Sequence, residues 1–97
     1  NNNKIVLGEE KDLYVKEFLA HKLNWVAIDS LNEELELMAK IRYNFHEKAA
    51  VIKPHGNDMV KVVFDEAQKA VTPGQAVVFY QDDLVIGGGI IKQRCDL

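Results

Sequence analysis

Three short apolar runs crowd into residues 60–92, VKVVFDEAQKAVTPGQAVVFYQDDLVIGGGIIK. They occupy residues 60–64, 76–80 and 84–91, and each is rich in Val, Ile, Phe or Tyr. Runs of this length and composition form strands rather than core helices. The breaks between them are polar. In Thr72-Pro73-Gly74-Gln75, the proline presets φ and the glycine admits positive φ, so a turn is expected. Gln81-Asp82-Asp83 is short enough for a hairpin. This third of the chain is predicted as a β-meander, with 76–80 and 84–91 as its tightest hairpin.

The upstream half carries the same period. Residues 33–40 taken alone pass for a helix, and Asp29 or Ser30 with Glu33 imitates a capping box. A longer window removes that reading. Leu35, Leu37, Ala39, Ile41, Tyr43 and Phe45 share one phase, and Glu34, Glu36, Met38, Lys40, Arg42, Asn44 and His46 share the other. One apolar exception in thirteen positions is the pattern of a half-buried strand. Residues 13–26 have β-forming side chains with imperfect alternation and are read as extended. Trp25 is assigned to the core or to a domain contact. Residues 4–7 and 49–53 are further strand candidates, and Pro54-His55-Gly56-Asn57-Asp58 is a turn with Gly56-Asn57 suited to positive φ. Six or seven short strands without a long helix predict an all-β fold, a small antiparallel barrel, closed or nearly so.

Ninety-seven residues allow one domain. It is divided as a lead-in segment 1–32, a barrel core 33–93 and a flexible tail 94–97. No apolar run approaches a membrane span of roughly 20 residues, and no membrane partner is expected. The chain opens on Asn1-Asn2-Asn3, so it is expected to be part of a longer multidomain enzyme. Net charge is −3, against strong independent binding of nucleic acid. The charge is uneven: residues 1–39 hold four basic and eight acidic side chains, and residues 40–97 eight and seven. A basic patch on the second part must therefore be local. The lone cysteine, Cys95, excludes an internal disulfide and suits a reducing, cytoplasmic setting.

Catalytic constellations are sparse. Ser30 and Thr72 are the only hydroxyl residues of their kinds, and neither follows a lysine as a phosphate loop requires. Gly87-Gly88-Gly89 lacks the dinucleotide-binding spacing. Inside an apolar strand it predicts sharp coiling or close backbone approach. His21, His46 and His55 have no i, i+4 pairing and no neighbouring cysteine, so no metal site is assigned. The pairs Asp65-Glu66 and Asp82-Asp83 are read as solvated turns, because adjacent strand residues point to opposite faces.

Residues 64–91, FDEAQKAVTPGQAVVFYQDDLVIGGGII, resemble the C-terminal β-barrel of the tRNA-specific 2-thiouridylases (tRNA-uridine 2-sulfurtransferases, also called tRNA methyltransferases). Lys40-Ile41-Arg42-Tyr43 resembles that family's basic-aromatic strand. LYVKEF at 13–18, with Asn24-Trp25, resembles its approach to the barrel. The resemblance implies a barrel similar to the second domain of translation elongation factors. It also implies a parent enzyme that uses ATP and Mg²⁺ to thiolate the wobble uridine of the tRNA anticodon. The family's ATP-binding loop and two catalytic cysteines do not occur in these 97 residues. The fragment itself therefore has no catalytic residues and no cofactor, and Cys95 inherits no catalytic role.

Recognition is what remains. Arg42 lies on the polar phase beside Lys40, and a guanidinium there can fork onto a phosphate. Tyr43 lies on the apolar phase. Gln75 follows Pro73-Gly74 on a turn, where side chains reach outward and backbone N–H groups are open to ligand. By resemblance, Arg42, Tyr43 and Gln75 match the family's tRNA-contact positions. The expected partners are tRNA, the upstream domains of the same protein and a sulfur-relay protein. The rival reading is a scaffold barrel that packs on its catalytic domain or on the sulfur-relay partner.

Overall fold

A computed structural model describes residues 14–41, 46–69 and 71–95. Six strands form one closed antiparallel barrel. They are β1 (Tyr14–Trp25), β2 (Leu35–Ile41), β3 (Lys48–His55), β4 (Met59–Lys69), β5 (Ala76–Gln81) and β6 (Leu84–Arg94). Their order around the barrel is β1-β4-β3-β2-β5-β6, with β6 closing onto β1. Closure leaves no edge strand exposed among these six. The expected all-β barrel is the fold observed. The expected strand at residues 4–7 lies outside the described residues.

Alternation explains the interior. Leu37, Ala39 and Ile41 of β2 are buried, as are Ala50 and Ile52 of β3. Val60, Val62 and Phe64 of β4, Val77 and Phe79 of β5, Phe18 and Ala20 of β1 and Ile86 and Ile91 of β6 belong to the same inward set. Phe18 and Phe64 meet with ring centroids 5.9 Å apart. Burying each such aromatic ring contributes roughly 1.5–3 kcal/mol, an upper figure for a chain already compact when unfolded.

The meander expected over 60–92 is not formed. β4 pairs with β1 and β3, whereas β5 pairs with β2 and β6. Only the β5–β6 part is a hairpin, with Gln81 opposite Leu84 and Asp82 at φ +56°. Periodicity marks strands but not partners, and the connection from β4 to β5 crosses to the opposite side of the barrel. So does the connection from β1 to β2. These two crossings close the two ends. Residues 26–34 lie over one end, with Ile28 and Leu31 packed against the core and Val26 N–H and Ala27 N–H both donating to Ile86 O. No helix is capped there; Ser30 Oγ donates to Asn32 Oδ1 at 3.5 Å. The other crossing inserts Val71, 1% exposed, into the opposite end.

β1 is a full barrel strand, so the barrel includes Tyr14–Trp25, ahead of the expected core boundary at residue 33. Its weak alternation has a physical cause. Register shifts fall between Val15 and Glu17 against β4, and between Leu19 and Ala20 and between His21 and Asn24 against β6. Each shift resets the side-chain phase. Lys22, at φ +54°, lies within the last of them.

The glycine run sits beside that irregularity. A Cβ on Gly88 would stand 2.6 Å from Val77 O, and one on Gly89 2.8 Å from His21 O. The expected close backbone approach is therefore present on both neighbouring strands. The β3–β4 turn is tighter than expected: Pro54 and His55 belong to β3, paired with Val60 and Met59. Gly56 and Asp58, rather than Asn57, take positive φ. At the other terminus Arg94 still belongs to β6, and Cys95 N–H donates to Glu17 O at 2.9 Å, so the expected tail is paired with β1 at its first two residues.

Candidate nucleic-acid interface

The Thr72–Gln75 turn forms where the chain must rejoin the barrel after crossing its end. Gln75 N–H donates to Thr72 O at 3.3 Å, and Gly74 has φ +95°. Pro73 and Gly74 thus occupy the central positions of a type II turn. Gly74 N–H donates to Ile91 O and Ile91 N–H donates to Gln75 O, both at 2.8 Å. Two residues of the turn therefore face one residue of β6, a glycine bulge that aims the turn back into β5.

The Gln75 side chain completes the same device. Its Oε1 accepts the Thr72 N–H at 3.1 Å. Gln75 is half-buried, whereas Thr72, Pro73 and Gly74 are exposed. The backbone N–H groups of Thr72, Gly74 and Gln75, expected to be open to ligand, are instead bonded within the protein. Sequence position alone did not show this, because the partner strand β6 arrives from a distant part of the chain. What the turn offers outward is the Nε2 amide of Gln75, which that internal bond does not use.

Arg42 and Tyr43 lie outside the described residues. Ile41, to which Arg42 is bonded, ends β2 and pairs with Val77, two residues from Gln75. The end of β2 and the Thr72–Gln75 turn are therefore at one end of the barrel. Lys40, half-buried, pairs with Val78 on the outer face. Lys92 is exposed and follows Ile91, the partner of the turn. Lys16 and Lys48 are exposed at the same end, against Glu47, Asp65 and Glu66. Nothing local in the sequence marks Lys92; only the β5–β6 register brings it beside Gln75.

The opposite end is different in charge. Asp29, Glu33, Glu34, Asp58, Asp82 and Asp83 are exposed there, against Lys22 and Lys53. His21 and His55 are on separate strands, and among the described residues no group of three or more His, Cys, Asp or Glu converges to hold a metal ion. Also among the described residues, no helix is long and apolar enough to cross a membrane.

Residues 15–91 match the family described as the aminomethyltransferase beta-barrel domain. The chain is 50% identical over 92 residues to the tRNA-specific 2-thiouridylase MnmA of Halothermothrix orenii, covering 95% of this chain and 26% of that protein. It is 54% identical over 91 residues to the MnmA of Acetivibrio thermocellus, covering 94% and 25% respectively. For the MnmA of Clostridioides difficile the identity is 51% over 92 residues, with 95% and 26% covered. The chain thus spans about a quarter of the length of these curated relatives. With the barrel and these matches together, the chain belongs to the aminomethyltransferase β-barrel domain family.

Proposed function

We propose that this chain is the C-terminal, tRNA-binding domain of an ATP-dependent, cytoplasmic tRNA 2-thiouridylase that modifies the wobble uridine. The observation that carries the reading is the juxtaposition at one barrel end: Ile41, which leads into Arg42 and Tyr43, is paired two residues from Gln75. The relatives' names, tRNA-specific 2-thiouridylase, supply the substrate class. ATP, Mg²⁺ and the sulfur-transfer residues belong to the remainder of such an enzyme. This domain's residues hold and orient the tRNA. Arg42 bonds a backbone phosphate, the Gln75 Nε2 donates to a ribose or base oxygen, and Tyr43 presents its hydroxyl or packs as a ring.

The test is tRNA affinity of the full-length enzyme across a salt titration. Arg42→Ala is expected to weaken binding by about 1–3 kcal/mol and to reduce the salt slope by about one unit, alike for different tRNAs. Gln75→Ala is expected to weaken binding while leaving the slope unaltered, since the amide is neutral. Tyr43→Phe separates hydroxyl from ring. Wild-type binding by both the Arg42 and Gln75 variants would leave the scaffold reading in its place. The carboxylate-lined cleft on the outer face of β2, β3 and β5 favours a protein contact elsewhere on the barrel.

A further inference from the structure

The outer face of β2, β3 and β5 carries a cleft of about 500 Å³, and none of residues 72–75 lines it. Its floor is set by register. Met38 lies between Ala49 on β3 and Tyr80 on β5, and Glu36 lies beside Val51. Ala49 is the small residue that makes the depression. Gln81 Nε2 donates to Glu36 O at 3.0 Å and holds the β5 rim against β2.

The charged residues lining this cleft are Glu36, Asp65 and Asp82, and neither Lys nor Arg is among the lining residues. Three carboxylates around an apolar floor repel a polyanion such as RNA. They suit a polypeptide that lays an apolar side chain on Met38, Val51 and Tyr80 and sets Lys or Arg against the rim. The curated relatives are about four times longer than this chain, so most of such a protein is covalently tethered to the barrel. Tethering raises the effective concentration of any matching segment to roughly the millimolar range.

We propose that this cleft is the docking site for a Lys- or Arg-bearing segment of the remainder of the same polypeptide. The inference rests on the chain being one domain of a longer enzyme, but not on where tRNA binds. Barrel orientation relative to the rest of the enzyme is then set on the face that carries the carboxylates, and the Gln75 end is left open.

Oxidative footprinting reads this directly, because the chain has two methionines. Met38 is on the cleft floor, and Met59, also half-buried, is on β4 beside the β3–β4 turn. In the full-length protein without tRNA, oxidation of Met38 is expected to be several-fold slower than in the 97-residue chain, with Met59 little changed. Glu36→Lys with Asp82→Lys in the full-length protein should restore most of the Met38 reactivity. Equal Met38 reactivity in the two proteins overturns the proposal. So does protection that appears only on adding tRNA, or protection of the short chain that rises with its own concentration. A tRNA-binding failure of the Arg42 and Gln75 variants would leave the Met38 result untouched, so the two readings fail separately.

Discussion

The two ends of the barrel solve one problem with different materials. Each must be closed by a chain crossing to the opposite side. The acidic end uses a longer connection, residues 26–34, with Ile28 and Leu31 against the core. Trp25 stacks on Phe79 there at 6.0 Å and 26°. The Gln75 end uses a short connection, one buried plug at Val71, and a turn whose backbone groups are bonded to each other and to Ile91. Apolar covering permits a freely charged exterior, and that exterior is rich in carboxylates. Closure by hydrogen bonds keeps polar groups at the surface in fixed positions. The Gln75 end carries the Gln75 Nε2 amide, which the bond to Thr72 leaves unused, and the exposed Lys92.

The comparison is broken most severely at its apolar side. Phe79→Ala removes a fully buried ring and the partner of Trp25. It is expected to cost about 3–5 kcal/mol in urea unfolding. A loss below 1 kcal/mol would mean that this end does not depend on apolar covering. Gly74→Ala strikes the other end. An alanine at φ +95° is expected to cost about 1–3 kcal/mol, because that conformation is strained for any residue with a Cβ. Unchanged stability would show that the turn relaxes freely. Val71→Ala should cost about 1.5 kcal/mol, the transfer of two methylene equivalents.

Smaller effects sharpen the picture. Gln75→Ala removes the acceptor of the Thr72 N–H. Thr72 is exposed and water can replace that bond, so the stability cost should stay within about 0.5–1 kcal/mol. A larger loss would give Gln75 a mainly structural role and weaken its case as an RNA contact. Smallest of all is the Lys61–Glu17 ion pair at 3.1 Å, with both side chains about one-third exposed. Glu17→Gln should change stability by about 0.2–1 kcal/mol, and less at high salt.

These ends were legible in the sequence to different degrees. The alternation around Leu37, Ala39 and Ile41 reports a strand with one wet face, and β2 has that form. Proline and glycine at 73 and 74 report a turn for reasons of φ alone. The sequence suggests a meander over 60–92 because the pairing of β4 with β1 and of β5 with β2 depends on two crossings that leave no periodic trace. β1 resembles a lead-in in the sequence because its bulges break the period that identifies strands. At the candidate site, the outward Gln75 was half legible. Its position on a turn is local, but the bond that occupies its Oε1 depends on how that turn closes. The neighbouring Lys92 becomes relevant only through the β6 register.

Charge reversal at each end tests the central claim most directly. Lys92 is exposed beside the Gln75 turn, and Lys53 is exposed on β3 towards the acidic end. Lys92→Glu in the full-length enzyme is expected to weaken tRNA binding on the order of tenfold, about 1.4 kcal/mol, with a shallower salt slope. Lys53→Glu should leave both affinity and slope within error of wild type. If Lys53→Glu weakens binding as much as Lys92→Glu, or if Lys92→Glu has no effect while Lys53→Glu does, the Gln75 end is not the face that meets tRNA.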